Sequence, residues 1–245
     1  MRNARQRMVD PELELTVVMP VFDEAPNLRR LLPAWRKLLD QSGATYEFHA
    51  LDDGSRDDSL EVLRACHGSW PELRVTTGSN RGHGPTVRRG YAEAGGSFVL
   101  QIDSDDEVPA DCFGALWRLR ATHDLVLVHR NHVPRPWPRR LVSRGARSFV
   151  RLAFGPGVAD PNAPARLMRG SWLREALVHV PENAFAPNVL LTALALRKGA
   201  RIAQVPVDAR PRAAGTTSLR SGRLLRASLH ALTDGIRLAV GGSGR

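Results

Sequence analysis

SFVLQIDSDDE, residues 97–107, is the stretch that decides how this chain is read. Residues 97–102 are apolar nearly throughout, as a strand covered on both faces should be. Asp103, Ser104, Asp105, Asp106 and Glu107 follow with no spacer. Open α/β sheets bind ligands at that place, outside the carboxyl ends of their strands.

Working outward, short apolar runs alternate with helix-like segments, the pattern of βαβ units. Residues 15–22 read as a first strand. From Pro26 onward, Leu28, Leu31, Leu32, Trp35, Leu38 and Leu39 recur at helical spacing. Residues 48–51 predict a second strand, 59–65 a helix, 73–76 a third strand, and 86–94 a helix after the glycine-rich turn GSNRGHGP (78–85). Downstream, a helix is predicted around 111–120, a strand from Leu125 in LVLVH, a helix over 188–197 and a final strand over 202–207. Pro206 predicts an edge position for that strand. The whole is expected to be one α/β domain, 1–245, on a mostly parallel central sheet. A nucleotide-binding half (about 15–129) precedes an acceptor-side half (about 130–220) and a C-terminal tail (221–245). In the tail, Leu224, Leu225, Leu229, Leu232, Ile236 and Leu238 keep roughly helical spacing, which suits docking on the core or on a bilayer surface.

The 245 residues, 42% hydrophobic and 24% charged, exclude a wholly disordered chain. Lys and Arg number 35 against 25 Asp and Glu, a formal charge of +10, so the surface attracts anions. Arginine supplies all but Lys37 and Lys198, which favours planar, phosphate-gripping forks. Only Trp137 and Phe149 lie near the arginine-rich stretch that follows Arg130, too few aromatics for a stacking platform, and nucleic acid is not expected as a partner. Cys66 and Cys112 make neither a disulfide framework nor a CxxC knuckle. No signal peptide and no apolar run of roughly 18 residues is seen, so a cytoplasmic protein, peripheral at most to the membrane, is expected.

Acids stand at successive strand ends: Asp23 and Glu24, then Asp52 and Asp53, then Asp103 and Asp105. Carboxylates crowded into one crevice repel unless their protonation shifts or a cation compensates, and Mg²⁺ or Mn²⁺ suits such oxygen donors. The glycine-rich turn is neither G-x-G-x-x-G nor G-x-x-x-x-G-K-[ST], which excludes a Walker-type ATPase.

VVMPVFDEAPNL, LDDGSRDDS, SNRGHGPTVRRG and QIDSDDE, in this order, resemble the nucleotide-sugar-binding half of family 2 glycosyltransferases, most of all the dolichyl/polyprenyl-phosphate mannose or glucose synthase group. The likeness continues in DPNAPARLMRG (160–170) and GARIAQVPVDARPRAAGTT (199–217). It implies a single GT-A-like fold. By that resemblance Pro20, Phe22 and Glu24 border the nucleotide, and Asp53 contacts the uracil or guanine ring or its ribose region. Asp103-Ser104-Asp105 matches the D-x-D motif, with Asp105 the metal ligand and Asp103 its partner. Arg212, Gly215 and Thr217 match R-x-x-G-x-[ST], where Arg212 would grip the diphosphate or the acceptor phosphate.

One departure bears on the acceptor. Family members commonly place an acid where this chain has Asn188, and an amide cannot remove a proton. Asp160, Glu182 and Asp208 remain as candidate bases for a hydroxyl acceptor; a phosphate monoester, already ionised, needs none. The expected activity is therefore metal-dependent, inverting transfer of a hexose from a UDP- or GDP-sugar to polyprenyl or dolichyl phosphate. Arg140, Arg144, Arg147 and Arg151 would share a helix face toward acceptor phosphate or an anionic membrane. The alternatives are transfer to a soluble small molecule or cell-wall precursor, and a non-catalytic nucleotide- or polyanion-binding protein.

Overall fold

The computed structural model describes residues 12–131 and 157–210. Arg144, Arg147, Arg212, Thr217 and the tail from Ser221 lie outside them. Seven strands among the described residues form one sheet: β1 (Leu15–Val21), β2 (Tyr46–Asp52), β3 (Leu73–Thr77), β4 (Phe98–Ile102), β5 (Leu125–Asn131), β6 (Ala165–Arg169) and β7 (Ile202–Asp208), in spatial order β3-β2-β1-β4-β6-β5-β7. The helices are α1 (Ala25–Asp40), α2 (Ser59–His67), α3 (His83–Glu93), α4 (Phe113–Leu119), α5 (Gly170–Leu177) and α6 (Pro187–Arg197).

The expectation of a mostly parallel sheet needs correction. β6 runs antiparallel to both of its neighbours, β4 and β5, so the sheet is mixed. Neither β6 nor α5 is marked in the sequence as an element. The run ARLMR puts Arg166 among apolar residues, and that arginine is fully buried. Its guanidinium donates to the carbonyls of Asn188 (3.0 Å), Ala163 (3.1 Å) and Pro161 (3.2 Å), so backbone oxygens replace water around the charge. β7 does take the edge position that Pro206 predicts, pairing with β5 alone among the described residues.

Strand alternation sends side chains to two cores. Val17 and Met19 face α1, whose Leu28, Leu31, Leu32 and Trp35 are buried at helical spacing. Each buried leucine contributes about 2 kcal/mol. Val18 faces the other way, toward α3, α5 and α6, with Val99, Tyr91, Leu173 and Leu191. There α3 lies directly on β1: a Cβ on Gly90 would sit 2.3 Å from Val18 Cγ1.

Candidate active site

β1, β2 and β4 are parallel, so their carboxyl ends share one edge of the sheet. The β1–β4 ladder runs only from Leu15↔Phe98 to Val18↔Gln101. The Phe98 N–H donates to the Glu14 carbonyl (2.8 Å), so even-numbered residues of this segment face β4. Pro20 is the next such residue beyond Val18, and it has no N–H to offer. Beyond that point the pairing ends, and the segment from Asp103 follows. β2 lies on one side of β1 and β4 on the other, which makes this gap the topological switch point where ligands enter such sheets.

One wall is a cross-braced set of turns. Both oxygens of Asp53, which is buried, accept from backbone: the Arg81 and Gly82 N–H groups, each at 2.8 Å. Asp52 accepts from Thr77 Oγ1 (2.7 Å) and the Ser55 N–H (3.1 Å). Gly54, at φ +73°, is required between these turns, because a Cβ there would stand 2.9 Å from the Gly78 carbonyl. Asp23 takes the left-handed region (φ 54°) and accepts from the Arg56 N–H at 2.7 Å. Glu24 is buried, its backbone N–H on Ser59 Oγ (2.8 Å) and its carboxylate accepting from Asn27. Asp57 accepts from Ser59 and the Ala25 N–H; burial opposes its ionisation, yet these bonds win and hold it below the usual carboxylate range. Pro20 is buried in β1 and Phe22 half-buried just past it.

The opposite wall carries the D-x-D segment. Asp103 accepts from Gln101 Nε2 at 2.7 Å, and His83 Nε2 stands 3.7 Å from the same oxygen. Burial pushes the Asp103 carboxyl up, against the pull of His83, Arg130 and the Gln101 amide. Asp105 is half-buried and accepts from the Glu107 N–H (3.2 Å). Asp106 turns the chain at φ 55° and pairs with Arg30 at 3.4 Å, on the side of a cleft of about 750 Å³ along α1. Arg130, at the end of β5, joins Glu107 (3.0 Å) to Asp160 (2.6 Å). Burial works against its charge, and Asp160, Glu107 and Asp103 more than restore it.

The other acceptor-side residues are placed differently from expectation. Asp160 is committed to Arg130. Glu182 is exposed before α6, within electrostatic reach of Arg88 on α3. Asn188 is not at an open surface: it is buried, accepts from the Tyr91 hydroxyl (2.7 Å) and donates to Gln101 Oε1 (3.0 Å). Sequence reasoning missed Gln101, Tyr91 and Arg130. A glutamine inside an otherwise apolar strand was the available signal for the first.

Among the described residues no three His, Cys, Asp or Glu side chains gather as a ready-made metal cage. Mg²⁺ and Mn²⁺ need none: they ordinarily take one or two carboxylates and complete their shell with phosphate oxygens and water. Asp103 and Asp105 fit that demand as hard donors at an open strand end.

The sequence profile described as glycosyl transferase family 2 matches residues 16–177, more than half of the chain. The chain belongs to this family. As a family 2 glycosyltransferase it is 28% identical, over 187 residues, to the undecaprenyl-phosphate 4-deoxy-4-formamido-L-arabinose transferase of Edwardsiella ictaluri (strain 93-146), covering 75% of this chain and 57% of that one. The enzyme of that name from Sodalis glossinidius (strain morsitans) is 26% identical over 174 residues, covering 70% and 53%. The glycosyltransferase thus spans little more than half the length of these curated relatives. Glucosyl-3-phosphoglycerate synthase from Mycobacterium tuberculosis, solved with Mn²⁺, UDP and phosphoglyceric acid, superposes with a TM-score of 0.70 at 20% identity, covering 93% of this chain and 79% of that one. The same synthase with Mn²⁺, UDP-glucose and phosphoglyceric acid gives 0.69, covering 91% and 80%.

Two expectations are overturned. A match running through both halves of this glycosyltransferase, together with its mixed sheet, replaces the single GT-A-like domain on a mostly parallel sheet. The polyprenyl or dolichyl phosphate acceptor is not upheld either: two solved structures that cover 91–93% of this chain hold phosphoglyceric acid, a soluble molecule, whereas the lipid-phosphate transferases are matched over little more than half their length. Among the described residues, no helix is long and apolar enough to cross a membrane.

Proposed function

We propose that this glycosyltransferase moves a hexose from a UDP-sugar to a soluble small molecule that carries a phosphate, with Mg²⁺ or Mn²⁺ held at Asp103 and Asp105. The observation that carries this reading is the likeness, along 91–93% of the chain, to a synthase solved with Mn²⁺, UDP or UDP-glucose and phosphoglyceric acid. The paired acids at the β1/β4 switch point agree with it. When bound, the cation neutralises charge on the diphosphate as the nucleotide leaves.

The chain's own residues divide the remaining work. Pro20, Phe22, Glu24 and Asp53 border the nucleotide; Asp53 does so while fastening the glycine-rich turn to β2. Asp103 and Asp105 present carboxylate oxygens beside the diphosphate. Arg212 and Thr217 are the proposed grip on the diphosphate or the acceptor phosphate. The net charge of +10 favours an anionic acceptor. Acceptor deprotonation is not assigned to Asp160 or Asn188, both of which are engaged within the fold.

Incubation with UDP-glucose, Mn²⁺ and 3-phosphoglycerate, glycerol 3-phosphate or unphosphorylated glycerol tests the proposal. UDP release and a hexosylated phosphate ester by mass spectrometry are expected, with EDTA abolishing both. A hexosyl product formed only on polyprenyl phosphate, or only from a GDP-sugar, would overturn it.

A further inference from the structure

Beneath the D-x-D segment runs a buried chain of polar side chains that the reaction scheme does not use. Gln101 is fully buried, Tyr91 is 1% exposed and Asn188 3%. Gln101 Nε2 donates to Asp103 Oδ1 (2.7 Å), Asn188 Nδ2 donates to Gln101 Oε1 (3.0 Å), and the Tyr91 hydroxyl donates to Asn188 Oδ1 (2.7 Å). The chain links β4, α6 and α3, and Arg166 closes it from β6 by donating to the Asn188 carbonyl at 3.0 Å.

The direction of these bonds follows from the first of them. Asp103 Oδ1 accepts from Gln101 Nε2, which leaves the Gln101 oxygen turned toward Asn188. Asn188 must then present its own NH₂ to Gln101 and its oxygen to Tyr91, whose hydroxyl completes the series as a donor. Every member is determined by the one before it. Asparagine has the shape of aspartate, yet it can donate at one end while accepting at the other. An aspartate at 188 would accept at both, and Gln101 would have to reverse, turning its oxygen toward Asp103.

We propose that Asn188 is a positioning residue for Asp103, acting through Gln101. On this account the amide at 188 is not a lost base: it sets the polarity of a relay that aims a donor at one oxygen of Asp103 and so fixes which way the carboxylate faces. The role in metal binding rests on the function proposed above; the polarity rests on the hydrogen bonds alone.

A double-mutant cycle in thermal unfolding at pH 8.5 tests the polarity without any ligand, the alkaline pH discouraging an aspartate at 188 from taking up a proton to imitate the amide. Asn188→Asp is expected to lower the midpoint. Asp103→Asn alone should change it little, because the new amide still accepts from Gln101. Combining the two should recover most of the loss, because the relay then runs in reverse: the amide at 103 donates to Gln101, and Gln101 donates to the carboxylate at 188. Titration with Mn²⁺ in the presence of UDP gives a second reading, in which Asn188→Asp should weaken the metal about tenfold, as loss of an outer-shell partner does. Equal penalties for Asn188→Asp in both backgrounds would overturn the proposal, as would unchanged Mn²⁺ affinity. A wild type that binds no Mn²⁺ with UDP would instead defeat the proposed function and leave the thermal cycle to decide the relay.

Discussion

The carboxylate of Asp53 and the N–H of Gly82 meet at 2.8 Å, and the other oxygen of Asp53 takes the N–H of Arg81 at the same distance. A side chain at the end of β2 therefore holds the turn that opens α3. Replacement by alanine leaves both N–H groups without their acceptor, a loss of ~2 kcal/mol for bonds to a charged group. Urea unfolding of Asp53→Ala should show that loss, and calorimetric titration should show UDP binding weakened about tenfold. Undiminished UDP affinity would place the nucleotide elsewhere.

Asp105 is half-buried just past the end of β4 and accepts from the Glu107 N–H, a bond that an amide oxygen at the same position can also accept. Asp105→Asn should therefore leave the thermal midpoint nearly unchanged while metal-dependent turnover falls by roughly 10²-fold or more, as when a stabiliser of developing charge is removed. Donor hydrolysis and transfer, each with and without Mn²⁺, measure this. Full activity in the variant would remove Asp105 from the metal site.

Gly90 and Val18 occupy one space between α3 and β1. Gly90→Ala should destabilise by roughly 1–3 kcal/mol through overpacking. Val18→Ala in the same chain should return part of that loss by vacating the contested volume, so the two changes together should cost less than their sum. Strict additivity in denaturant unfolding would mean that the helix does not rest on the strand at this point.

Asp124 is bonded by the Arg201 side chain and backbone N–H and by Arg169, which outweigh its partial burial and bring its carboxyl down to about 2. A carboxyl depressed on folding contributes stability above its ordinary value near 3.8, and that contribution fades as pH falls toward the folded value. The stability difference between wild type and Asp124→Asn should thus be full at pH 5 and shrink steadily toward pH 2. A difference that stays constant over this interval would show that the aspartate adds nothing through its charge.

Much of this was legible in the chain. Apolar runs around Val17, Phe48 and Leu100 marked three strands because burial on both faces leaves little room for polar residues. The acids that follow them fell on one edge because parallel strands must all end there. What escaped was chemistry that depends on partners remote in sequence. Arg166 reads as a surface charge until the carbonyls of Pro161, Ala163 and Asn188 surround it, and β6 stayed hidden with it. Asn188 reads as an acceptor contact by its place in the motif, whereas Tyr91 and Gln101 draw it inside. The sequence pattern predicts the start of α3 three residues late, since Gly82, at φ 93°, lets the helix begin at His83 with Pro85 in its first turn.

The strand order also sets a timetable for the nascent chain. β1 to β4 find one another within the first 102 residues, whereas Leu125 of β5 pairs with Met168 and Ile202, far downstream. At ordinary synthesis rates β7 leaves the ribosome roughly 4–15 s after β5. For that interval LVLV, among the most deeply buried strand segments of the finished protein, waits without its β7 partner. This is when the growing chain is most exposed to aggregation, and a chaperone would do the most for its yield at that moment.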